Sequence, residues 1–198
     1  MFQQGFISGL ISGTNPRQRE IALLSAVQRR IAVPQVVTAA RGLSFFGEHA
    51  LGWLALGALG ALIDRRRRRD WLASAAAVAA AHGTSIAVKR VVRRQRPTDP
   101  SVEVLAGTPS QLSFPSSHAA STTAAAVLYG DLLRRRLTPA LVLPMVISRL
   151  VLGVHYPSDV LVGSALGAVI GAGMRRRLRG RVGGRVGGAG TDTAEGGK

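Results

Sequence analysis

The chain has 198 residues, with 26 Lys+Arg against 10 Asp+Glu and a formal net charge of +16. Apolar residues make up 46% and mean hydropathy is +0.20, which excludes a wholly disordered basic chain. There is no cysteine, so disulfides, thiolate metal sites and cysteine nucleophiles are excluded as well, and the length is that of one domain.

Residues 1–16 are uncharged up to Asn15, and their apolar side chains are broken by Gly5, Gly9 and Gly13. A cleaved signal wants basic residues before its apolar run, whereas here they follow it, so 1–16 reads as a flexible N-terminus. Across 17–46, Ile21, Leu24, Val27 and Ile31 recur at helical spacing among Arg17, Arg19, Arg29 and Arg30. That pattern predicts an amphipathic helix, on the protein surface or lying in a membrane interface, interrupted at Pro34.

Five apolar segments follow, at 51–63, 71–88, 119–133, 137–154 and 160–174. A spanning helix needs about 20 mostly apolar residues, and two of the five reach the lower end of that range unaided. A soluble bundle of Ala-rich helices is the competing reading, and the charge spacing argues against it. Arginines gather at 65–69, at 134–136 and from 175 onward, which puts three clusters on one face if all five segments span. The positive-inside tendency makes that face cytoplasmic. The fold expected is therefore all-α, a multi-span transmembrane helix bundle of about five spans plus the N-terminal amphipathic helix. Its core covers 47–175, and 176–198 is an Arg/Gly-rich tail too poor in apolar residues to fold alone.

The chemistry gathers at the opposite face, in three short blocks. Lys89 is followed by Arg96-Pro97 at the end of the second segment. Such residues are commonly snorkelling anchors, but a lysine and an arginine also make a phosphate clamp from a point charge and a planar fork. Pro115-Ser116-Ser117-His118 opens the third segment, with Ser113 as its predicted cap; a helix start leaves backbone N–H groups free for an anion. Ser148-Arg149, His155 and Asp159 straddle a Gly/Pro turn, and Asp159 follows His155 by four. A carboxylate so placed either caps the following helix or fixes one ring nitrogen and leaves the other as a nucleophile.

Together, Lys-x6-Arg-Pro, Pro-Ser-x-His and Ser-Arg-x5-His-x3-Asp resemble the three-part signature of the PAP2 (type 2 phosphatidic acid phosphatase) superfamily. Ser117 stands where that family commonly has glycine. The resemblance implies a phosphatase that works through a phosphohistidine without cofactor or metal. His155 would be the nucleophile, Asp159 its orienting carboxylate and His118 the proton donor and acceptor. Lys89, Arg96, Ser116, Ser117 and Arg149 would bind the phosphoryl oxygens. The stretch from Ser44 through Trp53 to Trp71 is similar to the small branch acting on decaprenylphosphoryl-5-phosphoribose, in the supply of cell-wall arabinan precursors. Undecaprenyl diphosphate, phosphatidate and phosphatidylglycerophosphate are the rival substrates. A non-catalytic basic protein is the remote alternative, and nucleic acid is not expected as a partner, since the arginine runs lack interleaved aromatics. The implied location is the plasma membrane, with a lipid phosphate meeting the site on its extracytoplasmic face. Glu48 and His49, near the same face, read as an interfacial polar pair or a head-group contact, and His82 as a packed residue.

Overall fold

The computed structural model describes residues 15–187, with side chains as far as Gly180. Most of the expected flexible N-terminus, and 188–198 of the expected tail, lie outside the described residues. Helix α1 (Pro16–Ile31) is capped by the Asn15 side chain, which accepts from the Arg17 N–H at 3.1 Å, and ends on Arg29 and Arg30 against the negative end of the dipole. Pro34 then starts α2 (Pro34–Gly47), so the 17–46 stretch is two helices rather than one, with proline at N1 where its missing N–H costs nothing. A short 3₁₀ turn at Glu48–Ala50 leads into α3 (Leu51–Ile63), and a second at Arg65–Arg67 into α4 (Arg68–Val92). Helices α5 (Ser117–Leu132), α6 (Thr138–Val151) and α7 (Pro157–Gly187) complete the order. Helix α7 carries on into the Arg/Gly-rich stretch as far as Gly187, arginine being a good helix former.

Among the described residues, three stretches are long and apolar enough to cross a bilayer: Pro34–Ile63, Arg65–Val92 and Pro157–Gly180. The first joins α2, expected at the interface, to α3. Leucines and valines stand out on the flanks of these helices, among them Leu59, Leu62, Leu72, Leu161 and Val169, as suits contact with lipid tails. The two other expected spans are shorter, α5 with 16 residues and α6 with 14. Helix α5 is enclosed by its neighbours: of its residues only His118, Val127 and Asp131 are not buried. Its alanines, serines and threonines thus face protein, which is why its hydropathy is modest for an expected span.

Small residues let that centre close. On α7, Gly163, Gly167 and Gly171 face α5 one turn apart, and a Cβ at Gly167 would stand 2.1 Å from the Ala120 carbonyl oxygen. On the other side Trp53 Nε1 donates to Thr122 Oγ1 at 3.0 Å, and the Tyr129 hydroxyl to the Trp53 carbonyl at 2.9 Å, with Trp71 against the Tyr129 ring. These two bonds satisfy the polar tips of Trp53 and Tyr129 inside the bundle, as burial requires.

The arginine clusters converge at one end. Arg67 pairs with Asp64 and donates to the Leu132 carbonyl at 2.6 Å, while Arg179 pairs with Asp131. This ties the α3–α4 turn, the end of α5 and the far half of α7 together, leaving the opposite end to the three sequence blocks.

The glycine stripe predicts a contrast. Gly167→Ala must displace backbone and should destabilise by about 1–3 kcal/mol, as overpacking does. Gly173→Ala, with nothing within 4 Å of its would-be Cβ, should leave the thermal midpoint unchanged or slightly raised. Thermal unfolding in detergent measures both.

Candidate active site

Helix α4 delivers Lys89 three residues before its end, where Arg93 takes the left-handed conformation (φ 54°) and turns the chain back. The returning loop pairs with itself: Arg96 N–H donates to the Gln111 carbonyl and Ser113 N–H to the Arg94 carbonyl. This doubling holds Arg96 above the start of α5. Ser116, not Ser113, caps that helix; its hydroxyl accepts from the Ala119 N–H at 3.4 Å. Ser113 is instead fully buried and donates to the Arg94 and Gln95 carbonyls. The cap is shifted because Pro115 sits ahead of the helix rather than in its first turn. Arg149 comes from the last turn of α6 and Asp159 from the first turn of α7, with His155 in the turn between them.

These elements enclose a cavity of about 310 Å³. Lys89, Arg96, Ser117, His118, Arg149 and His155 line it; Ser116 and Asp159 stand behind its wall. Seven of the eight expected residues approach one another as the sequence suggests. Ser116 differs: its side chain serves its own helix, and its backbone N–H donates to the Asp159 carbonyl at 2.9 Å.

The three cations are committed to different degrees. Lys89 Nζ donates to the Ser113 and Pro115 carbonyls at 2.9 and 2.7 Å, so it braces the turn before α5 as well as charging the pocket. Arg96 donates through Nε to the Ser110 carbonyl and through Nη1 to the Val154 carbonyl, and Nη1 also reaches His155 Nε2 at 3.3 Å. Arg149 is only 2% exposed, yet its Nε and Nη2 have no hydrogen-bond partner. A buried guanidinium with idle N–H groups is costly by itself, and an anion in the cavity would satisfy it.

The two histidines are fixed from opposite sides. His118 Nε2 donates to the Ser44 carbonyl at 3.0 Å, and Gly47 leaves room for its ring, since a Cβ there would approach His118 Cδ2 to 2.8 Å. His155 accepts from Arg96 at Nε2, so its proton belongs on Nδ1, which faces Asp159 Oδ2 at 3.5 Å. Burial first, then the positive charge of Arg96, Lys89 and Arg149, hold His155 well below the ordinary imidazole range. Asp159 caps the helix that follows and lies near the imidazole, whose Nδ1 has no hydrogen-bond partner. Its Oδ2 accepts from the Tyr156 N–H at 2.8 Å, the return half of a capping box, while the same carboxylate faces the imidazole. At Ser117 the φ is not positive, and the hydroxyl meets Ser85 Oγ at 2.7 Å, so serine fits without backbone strain.

The sequence reading missed Arg94. It lies within the six-residue spacer of the first block, donates to Asp159 Oδ1 at 3.0 Å and to Ser158 Oγ at 2.6 Å, and pairs with Glu20 of α1. Its guanidinium also stacks over Tyr156, 4.0 Å from the ring centre. Its signal was present as a charge among charges, with nothing to separate it from Arg90 or Arg93. Glu48, His49 and His82 line the cavity too.

The PAP2 superfamily profile matches residues 70–182. The chain is 54% identical over 149 residues to the decaprenylphosphoryl-5-phosphoribose phosphatase of Mycobacterium tuberculosis, covering 75% of this chain and 84% of that protein. To the protein of the same name in Mycolicibacterium smegmatis it is 55% identical over 145 residues, covering 73% and 81%. The crystal structure of the first transmembrane PAP2-type phosphatidylglycerolphosphate phosphatase, from Bacillus subtilis, shares the fold at a TM-score of 0.72 and 20% identity, over 88% of this chain and 92% of that one. The chain belongs to the PAP2 superfamily, and it is an integral membrane protein of the lipid-phosphatase kind.

Two outcomes are expected at this site. Arg94→Ala strips a fully buried carboxylate of its cation and should lower stability by about 3 kcal/mol, read from thermal unfolding, with activity falling alongside. In the free protein the His155 ring should stay neutral as the pH is lowered through 6.5, because its depressed affinity for protons moves its titration to more acid values; NMR of ring-labelled histidine follows it.

Proposed function

We propose that this chain hydrolyses the 5-phosphate of decaprenylphosphoryl-5-phosphoribose, giving decaprenylphosphoryl ribose, through a phosphohistidine on His155. The carrying observation is the pocket in which Lys89, Arg96 and Arg149 surround two histidines, Arg149 with buried N–H groups that lack an acceptor. The two relatives that share more than half of their aligned residues with this chain support the choice of substrate.

In this reading the phosphate enters with its oxygens toward Arg149, Arg96, Lys89 and the N-terminus of α5. His155 Nε2 attacks phosphorus, and its Nδ1–H, facing Asp159, takes up the positive charge that forms on the ring. As the bond from phosphorus to the ribose 5-oxygen breaks, His118 delivers a proton to that oxygen. Water then attacks the phosphohistidine, His118 accepts its proton, and phosphate leaves with His155 restored. Phosphoryl transfer asks chiefly for positioning and for positive charge around the equatorial oxygens, and the three fixed cations supply both without a metal ion.

The arginine clusters gather at the end of the bundle away from this pocket, and the positive-inside rule supports a cytoplasmic position for them. The pocket then opens on the extracytoplasmic side of the plasma membrane.

Detergent-purified chain in EDTA should release phosphate, and should prefer decaprenylphosphoryl-5-phosphoribose over undecaprenyl diphosphate and phosphatidic acid. His155→Ala should lower the rate by about 10³-fold or more, as loss of a covalent nucleophile does. Activity abolished by EDTA, or retained in His155→Ala, would overturn the mechanism; preference for another lipid would overturn the substrate.

A further inference from the structure

The cavity has a second wall that phosphate chemistry does not use. Its volume, about 310 Å³, exceeds what a phosphate group fills, and away from the cations it is bounded by Glu48, His49 and His82. His82 and Ile86 precede Lys89 on one face of α4, seven and three residues before it, so His82 lies about 10 Å along the helix from the lysine. Its Nδ1 is buried and has no hydrogen-bond partner. The His49 ring stands across from it, 6.3 Å between centres. Glu48 and His49 come from the turn between α2 and α3, where His49 (φ 50°) and Ala50 (φ 61°) are both left-handed. Two successive non-glycine residues in that conformation are strained, and they sit in the turn that lines the cavity.

A carboxylate is out of place beside a phosphate, since like charges repel. Glu48 is the acidic residue among those lining the cavity, and it is the chain neighbour of His49, whose ring faces His82. Carboxylate oxygens and an unprotonated ring nitrogen accept hydrogen bonds, and the groups that offer them without charge are hydroxyls. We propose that Glu48, His49 and His82 form a subsite for the hydroxyls of a sugar esterified to the scissile phosphate. This deepens the function proposed above and rests on it. Ile86 supplies an apolar patch between the two walls, against which a sugar ring can lie. A simple lipid phosphate, lacking hydroxyls next to its phosphate, leaves these acceptors unpaired and so binds less well in the transition state.

The test is a ratio, kcat/KM on decaprenylphosphoryl-5-phosphoribose over kcat/KM on phosphatidic acid, measured on the same sample of full chain in detergent. A ratio is insensitive to the fraction of protein that is folded. Glu48→Gln and His82→Phe should each lower it about tenfold to a hundredfold, the range for a lost hydrogen bond to a charged or buried group. The wild-type chain should also cleave the 2-deoxyribosyl analogue at least tenfold less efficiently than the ribosyl lipid, a measurement that needs no substitution. Unaltered ratios in both variants, or equal cleavage of the two sugars, would overturn the subsite while leaving the proposed function standing. A wild-type chain that cleaves phosphatidic acid but not the phosphoribosyl lipid would overturn both.

Discussion

One buried carboxylate connects the parts of this site. Asp159 is fully enclosed, and each of its three oxygens answers to a different segment of the chain. Oδ1 accepts from Arg94 beyond the end of α4, Oδ2 from the backbone of Tyr156, and the main-chain oxygen from Ser116 at the start of α5. The carboxylate also faces His155. Three blocks distant in sequence are thus held together at one residue. An ionised group can stay in such a place because its charge is matched by a guanidinium and its lone pairs by N–H groups.

The same economy governs the cations. Lys89, Arg96 and Arg149 lie close enough to repel one another, and burial raises that cost. Backbone carbonyls of the loop before α5 and of the turn after α6 absorb much of it, through four hydrogen bonds of 2.9 Å or less from Lys89 and Arg96. Arg149, by contrast, keeps idle buried donors, Nε and Nη2, in the pocket wall. The loop is therefore more than a connection: its fold supplies the dipoles that let positive charge be stored where an anion is to come.

Much of this was legible in the sequence because catalysis and turn chemistry both leave spaced residues behind. The pairing of His155 with Asp159 across Pro157, and the arrival of Lys89 and Arg96 at the same end, follow from spacing once helices are assigned. What escaped depends on contacts between segments. Arg94 looked like any basic residue leaving a helix, since its partner Glu20 lies 74 residues away. The cap of α5 moved from Ser113 to Ser116 because the loop's pairing with itself, invisible in local pattern, engages Ser113. Helix α5 resembled a lipid-facing span because composition shows that residues avoid water, not whether lipid or protein surrounds them. His82 looked like a packing residue among alanines for the same reason.

The glycines of α7 carry a consequence for motion. Gly163 and Gly167 leave so little clearance over the Ser116 and Ala120 carbonyls that the two backbones cannot slide along one another without collision. Helices α5 and α7, and with them His118 and Asp159, form a stator: they move together or stay still. Any give the pocket has when a bulky lipid enters comes from its other walls, among them the loop at 107–112 and the turn where α2 breaks into α3 at the left-handed pair His49 and Ala50.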